Sequence, residues 1–275
     1  MNAREGALLV LYQINKKDAF SNIALNKELK DKSYKQLDKN LITGLVYGVL
    51  ENQIYIDYVI KQFSTFKIEK MNPYTLNLLR LGIYQLLFLD KIPGFAAVNE
   101  TVNLSKKYCK KTTGFINGVL RNIQRNKENI KLPDPKKDIV KYLSIRYSHP
   151  EWLVRVFLDN FDREFTEELL KANNAEPDLY VRINTLKIDI NDCIKFLIDK
   201  GYAIKQNPFI KEAVIIRGLH NIEQSDLYRK GYIQVQDFSS MLVSKILDPQ
   251  EGDFVIDVCS APGGTTMHMA QLMND

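Results

Sequence analysis

The run Asp253-Phe-Val-Ile-Asp-Val-Cys-Ser-Ala-Pro-Gly-Gly-Thr-Thr-Met-His-Met-Ala-Gln-Leu272 passes from an apolar strand pattern through a glycine break into a helical pattern. Phe254 to Val258 is interrupted only by Asp257, as a strand buried on both faces of a parallel sheet would be, so a central strand is expected here. Pro262, Gly263 and Gly264 break the chain, and Thr265 or Thr266 can cap a helix whose Met269 and Leu272 recur at i, i+3. A strand, glycine turn and helix in this order make a ligand-binding unit. Glycines let the backbone approach the ligand, and the helix N-terminus offers free N–H groups.

A dinucleotide fingerprint needs three spaced glycines and an acidic residue about twenty positions on. Here two adjacent glycines stand alone, and the chain ends before such an acidic residue, which leaves a nicotinamide-dependent enzyme as the weakest reading. Asp257-Val-Cys-Ser-Ala-Pro-Gly-Gly264 resembles instead the S-adenosylmethionine motif of the RNA cytosine-C5 methyltransferases, usually worded D-x-C-A-A-P-G-G-K-T. Ser260 replaces the usual Ala, and Thr265 replaces a Lys whose cation would stand near the cofactor's carboxylate or the RNA. The resemblance implies that Cys259, Ser260, Ala261, Pro262, Gly263, Gly264 and Thr265 contact S-adenosylmethionine.

A length of 275 residues suggests roughly two domains, and 45% apolar with 26% charged residues is ordinary globular composition. Cys109, Cys193 and Cys259 are far apart and odd in number, which indicates neither a disulfide framework nor a zinc site; a reducing cytoplasm is expected. The N-terminal apolar run is too short for a signal peptide, and no stretch reaches the length of a membrane helix. Residues 1–130 hold 20 Lys and Arg against 11 Asp and Glu, whereas residues 131–275 hold 18 against 22. The basic half is the one expected to meet a polyanion.

Residues 1–128 carry helical periodicity throughout: Ala7, Leu8, Leu11 and Ile14 on one face, then Leu41, Leu45 and Val49, then a very apolar central helix over Leu76, Leu79, Ile83 and Leu86. Pro73 suits that helix's first turn and Pro93-Gly94 ends it, with Ala96 to Tyr108 forming another. Phe115 to Asn126 buries Phe115, Ile116, Val119 and Ile123 and sets Arg121 and Arg125 one turn apart on the opposite face. Leu81-Gly-Ile-Tyr-Gln-Leu-Leu-Phe88, Ile92-Pro-Gly-Phe-Ala-Ala-Val-Asn-Glu-Thr-Val102 and Gly114-Phe-Ile-Asn-Gly-Val-Leu-Arg121 resemble the helical RNA-binding domain shared by the NusB antitermination factor and the RsmB (Sun, Fmu) methyltransferases. That resemblance implies an RNA-contacting bundle. Lys106, Lys107, Lys110, Lys111, Arg121 and Arg125 are the candidates for phosphate contacts, which supply affinity without sequence information.

The polar, proline-punctuated run after Asn126 places a linker at residues 129–145. In Tyr147-Ser-His-Pro-Glu-Trp-Leu-Val154, Ser148 or His149 can cap a helix with Pro150 at its first position, and Trp152, Leu153, Val156 and Phe157 form the expected buried face. His149, without a partner acid nearby in sequence, is read as structural. The same phrase resembles one found between the two main parts of RsmB-like proteins. Strand and helix patterns then follow as Tyr180–Thr185, Ile190–Lys200, Tyr202–Lys205, Ala213–Arg217, Gln224–Arg229 and Tyr232–Gln236. The order βαββαβ is the split arrangement used by RNA-recognition modules, though without their aromatic signature. Ser239 or Ser240 is expected to cap a helix running to Leu247.

The expected organisation is therefore multidomain: an all-α NusB-like bundle at 1–128, a linker at 129–145, an α+β domain at 146–232, and the first β-α unit of a Rossmann-like methyltransferase domain at 233–275. The implied function is 16S ribosomal RNA cytosine-C5 methylation in the cytoplasm with S-adenosylmethionine as donor and no metal. Such chemistry requires a thiolate to add to C6 before C5 can take a methyl group, followed by removal of the C5 proton. The resemblance implies that the nucleophilic cysteine and a second, product-releasing one lie downstream of Asp275, so that the chain ends inside a domain and is inactive alone. Cys259 is excluded as that nucleophile because it sits in the cofactor motif, and Cys109 and Cys193 because they fall in helices of other domains. The alternative is a non-catalytic NusB-like RNA-binding protein, favoured by Thr265 in place of Lys.

Overall fold

The computed structural model describes residues 2–30, 34–175, 178–218, 222 and 225–274. The chain divides into two compact units, Met1–Ala175 and Glu176–Asp275.

In the first unit, α1 (Ala3–Lys17), α2 (Ser21–Lys30), α3 (Gln36–Glu51), α4 (Gln53–Phe63), α5 (Pro73–Phe88), α6 (Gly94–Tyr108) and α7 (Thr113–Asn126) form the bundle. Pro73 occupies the first position of α5, and the Asn72 side chain accepts the Tyr74 N–H at 2.9 Å, so this helix starts where its sequence demands. Leu78, Leu79, Leu81 and Ile83 are fully covered by α1, α3, α4, α6 and α7, which makes α5 the axis of the bundle. Each such side chain contributes roughly 1.5–3 kcal/mol by leaving water. The close approach of α3 to α5 depends on Gly48, where a Cβ would fall 2.1 Å from the Tyr84 hydroxyl oxygen. Arg80, on this otherwise apolar helix, is satisfied by Asp57 of α4 through two hydrogen bonds of 2.7 Å each.

The stretch expected as a linker is largely structured. Lys131 is fastened to α4, its carbonyl accepting from Tyr58 and Gln62 and its N–H donating to Gln62. Asp138 then caps α8 (Ile139–Tyr147) by accepting from Lys141 N–H. With α9 (Glu151–Asn160) and α10 (Arg163–Asn173), α8 belongs to the first unit, so the boundary between compact units falls at 175/176 and not in the proline-rich segment. Ser148 ends α8 in the left-handed conformation and α9 begins after Pro150, one residue later than expected. Trp152 and Val156 are exposed, because α9 packs through Val154, Phe157 and Leu158, a stripe rotated from the expected one.

The second unit holds β1 (Tyr180–Ile183), α11 (Ile190–Asp199), β2 (Ala203–Gln206), β3 (Ala213–Arg217), α12 (Asp226–Arg229) and β4 (Ile233–Val235). The sheet order is β2-β3-β1-β4 with every neighbouring pair antiparallel, the split βαβ arrangement that the element order requires. Val181, Ile183, Val214, Ile216 and Ile233 pack against Cys193 and Leu197 of α11. Gln224, the expected start of α12, lies outside the described residues. Two helices follow, α13 (Phe238–Leu247) and α14 (Gly264–Met273). Asp237 caps α13 by accepting the Ser239 N–H, the role expected of Ser239 or Ser240.

Phe254–Val258 does not form the expected strand. The segment pairs with no neighbour among the described residues, and Phe254, Ile256 and Val258 are 90%, 72% and 90% exposed. Its composition suits a buried strand, but a strand exists only with a partner edge, and the antiparallel sheet does not extend to it.

Candidate cofactor turn and nucleic-acid interface

The glycine turn is built in the second unit. Asp257 accepts the Cys259 N–H at 3.0 Å with one carboxylate oxygen and the Thr266 hydroxyl at 2.6 Å with the other. One carboxylate thus closes the loop on both sides. Gly263 adopts φ +103°, a left-handed conformation that costs any other L-residue, and serves as the N-cap residue of α14. No side chain caps this helix, contrary to the expectation for Thr265 or Thr266; Thr266 is occupied with Asp257 and α14 begins at Gly264. Cys259, Ser260, Ala261 and Pro262 are exposed, while Gly263, Gly264 and Thr265 are half-buried. An uncapped N-terminus behind exposed loop backbone fits a ligand carrying an anionic group.

Beneath the turn, α14 is anchored through polar contacts. His268 is fully buried, with Nε2 3.1 Å from Glu212 Oε1, which also receives Lys245 Nζ at 2.7 Å. Burial pulls the Glu212 carboxyl upward, but the hydrogen bonds from His268 and Lys245 outweigh it and lower the pKa to about 2. Arg182 of β1 donates to the side-chain oxygens of Gln234, Gln236 and Gln271. Burial depresses its pKa to about 10 despite the attraction of Glu212. Sequence reasoning places Asp257 at the head of the cofactor motif without its loop-closing bonds and assigns no role to Arg182. Asp257, the lone polar residue in an apolar run, carries a signal that could have found them; Arg182 gives none, since its partners lie far along the chain.

The basic candidates lie in the first unit and separate into groups. Lys106 of α6 and Arg121 of α7 line one shallow groove of about 450 Å³ together with Asn99, Asn103 and Asn117. Lys106 Nζ donates to Asn103 at 3.3 Å and Arg121 Nε to Asn117 at 3.0 Å, so both side chains are held by neutral amides and not by carboxylates. Arg125 is exposed on the same helix but outside this lining, as are Lys110 and Lys111 in the short turn Lys110–Thr112. Lys107 is engaged elsewhere: its Nζ lies 2.5 Å from Glu5 Oε1, which also accepts from Tyr108. Burial raises the Glu5 pKa, but these two partners bring it below the ordinary value. His149, read from sequence as structural, has Nδ1 2.6 Å from the Tyr147 carbonyl, and its backbone carbonyl accepts from Ser144. Cys109 follows the end of α6 instead of lying in a helix, whereas Cys193 is within α11 as expected.

A helical unit followed by a small antiparallel α+β unit defines a multidomain architecture of the RsmB/F type. The NusB family matches residues 1–125, the RsmF/B-like ferredoxin-like methyltransferase domain matches 149–223, and the 16S rRNA methyltransferase RsmB/F family matches 244–275. The chain thus carries a NusB-family domain followed by RsmF/B-like ferredoxin-like and RsmB/F methyltransferase sequences. It is similar to the probable ribosomal RNA small subunit methyltransferase B of Bacillus subtilis strain 168, with 35% identity over 100% of this chain and 61% of that protein. The protein of the same description from Synechocystis sp. is 34% identical over 100% of this chain and 62% of its own length. The chain thus spans about three fifths of these relatives. The crystal structure of PH0851 shares the fold, with a TM-score of 0.68 at 23% identity, covering 99% of this chain and 61% of that one. Among the described residues, no helix is long and apolar enough to cross a membrane.

Proposed function

We propose that this chain serves a 16S ribosomal RNA (cytosine-C5)-methyltransferase of the cytoplasm, with residues 1–128 docking the RNA and Cys259–Thr265 holding S-adenosylmethionine. Residues 233–275 open a Rossmann-like methyltransferase domain in this reading. The observation that carries it is the turn itself: Asp257 closes it on both sides, Gly263 turns it, and the α14 N-terminus stands uncapped behind exposed backbone. When bound, the donor supplies an activated methyl group. The chain's own part is to present N–H groups to the donor's carboxylate and to keep the loop fixed through Asp257 and Thr266. Thr265 offers a hydroxyl where the related motif carries a cation.

Attack on C6 of cytosine requires a thiolate. Burial pushes the Cys193 thiol up to about 11, which removes it as a nucleophile. Cys259 is part of the turn and Cys109 belongs to the helical unit, so neither is assigned the attack. The RNA would be gripped by phosphate contacts from Lys106 and Arg121 in the α6/α7 groove, with Arg125, Lys110 and Lys111 around it. Lys107, paired with Glu5, contributes less.

A second reading, a non-catalytic RNA-binding protein, is favoured by Thr265 in place of Lys. Calorimetric titration with S-adenosylmethionine separates the two. Saturable binding that is lost in Gly263→Val supports the methyltransferase reading, and absence of binding by the parent protein supports the other.

A further inference from the structure

We propose that Arg182 is the positioning residue through which the antiparallel sheet fixes the cofactor turn; this rests on the reading of that turn as the S-adenosylmethionine site. Arg182 stands in the middle of β1 and is only 3% exposed. Its Nε donates to Gln236 Oε1 at 2.8 Å and one terminal nitrogen to Gln234 Oε1 at 2.7 Å. The other terminal nitrogen reaches α14, where it contacts the Gln271 side-chain oxygen and, at 3.4 Å, the Met267 carbonyl. The Gln271 amide nitrogen completes the attachment by donating to the Ile183 carbonyl at 3.1 Å and to Thr185 Oγ1 at 2.9 Å. One planar cation therefore ties β1, β4 and two successive turns of α14 into a single arrangement.

The choice of residue is informative. A buried guanidinium held by neutral amide oxygens loses its hydration without gaining an ion-pair partner in contact, and an apolar side chain of the same volume would fill the space at lower cost. What an apolar residue would not supply is direction. The fork of donors accepts one orientation of α14 against the sheet, and the turn from Asp257 to Gly263 leads directly into that helix. Its hydrogen bonds through Asp257 close the loop on itself and on Thr266 of α14, so they do not place α14 on the sheet. Packing of α13 on α14 and the His268–Glu212 contact hold the helix down, and Arg182 sets its register.

The test compares the parent 275-residue protein with Arg182→Met, Arg182→Lys and Gln271→Met by amide hydrogen exchange and by titration with S-adenosylmethionine. In Arg182→Met, exchange at 267–273 is expected to accelerate about tenfold while β1 and β3 remain protected, and affinity for S-adenosylmethionine to fall about tenfold. Arg182→Lys is expected to keep β1 and β3 protected without restoring affinity, since one ammonium cannot span the three amides. Gln271→Met, which removes the α14 end of the contact but keeps Arg182 and its hydrogen bonds to Gln234 and Gln236, is expected to reproduce the effect should Arg182→Met fail to fold. Unchanged exchange and unchanged affinity in the variants that fold would overturn the proposal. If the parent does not bind S-adenosylmethionine, the reading of the turn fails, and the exchange data still decide whether Arg182 orients α14.

Discussion

The Thr266 hydroxyl donates to Asp257 Oδ2 at 2.6 Å, joining the end of the apolar run to the first turn of the helix beyond the glycines. The other oxygen of the same carboxylate takes the Cys259 N–H, so a single side chain defines the loop between them. Replacing Asp257 by Ala removes both bonds, one of them to backbone. Affinity for S-adenosylmethionine is expected to fall about tenfold or more, at roughly 1.5–3 kcal/mol for a hydrogen bond to a charged group. Because the loop is exposed, the melting temperature should change little. Calorimetry and a thermal scan on the same sample check both halves; a large loss of stability with affinity unchanged would contradict the assignment.

The first unit depends on the bidentate pair between Arg80 and Asp57, whose side chains are 7% and 22% exposed. Asp57→Ala leaves a buried guanidinium unpaired. Denaturant unfolding is expected to show the helical unit losing about 3–5 kcal/mol, with protection of the antiparallel sheet unaffected.

Charge reversal should sort the basic residues. Lys106→Glu and Arg121→Glu face the α6/α7 groove and are expected to weaken RNA binding and to reduce the magnitude of the salt slope by about 1 for each phosphate no longer neutralised. Lys107→Ala breaks the pair with Glu5, so it is expected to alter the stability of the bundle more than RNA affinity. Filter binding at several salt concentrations distinguishes the two outcomes.

Glu212 gives the second unit an acid limit. Its pKa is about 2 in the folded protein against an ordinary 4.5, lowered by His268 and Lys245 against the opposing effect of burial. A depressed carboxylate pKa stabilises the folded state above 4.5, and that stabilisation is lost as pH falls from 4.5 toward about 2. The acid unfolding of the sheet unit is therefore expected to flatten across this window in Glu212→Gln. Circular dichroism against pH, compared between parent and variant, measures it.

Local chemistry is legible in the sequence where it decides local structure. Pro73 starts α5 and the alternation of short strands predicts the βαββαβ order that the sheet adopts, whereas Pro93-Gly94, expected to end α5, opens α6, α5 having stopped at Phe88. Partners distant along the chain are not legible. Arg80 interrupts an apolar helix with no sign in the sequence that Asp57 lies beside it, and neither the capture of Lys107 by Glu5 nor the grip of Arg182 on Gln271 leaves a mark at short range. Trp152 is exposed although an aromatic residue on a helix suggests burial, because the stripe through Val154 is the one that packs. Phe254–Val258 shows the limit of composition: apolar residues mark a segment able to pair, and pairing needs an edge.

The most direct test is titration of the 275-residue protein with a 16S ribosomal RNA fragment, in parallel with S-adenosylmethionine, over a range of salt. Binding of both is expected, with RNA affinity falling steeply and linearly on logarithmic axes and S-adenosylmethionine affinity nearly insensitive to salt. RNA binding that ignores salt, or the absence of binding to either ligand, would contradict the assignment of the helical unit and of the turn.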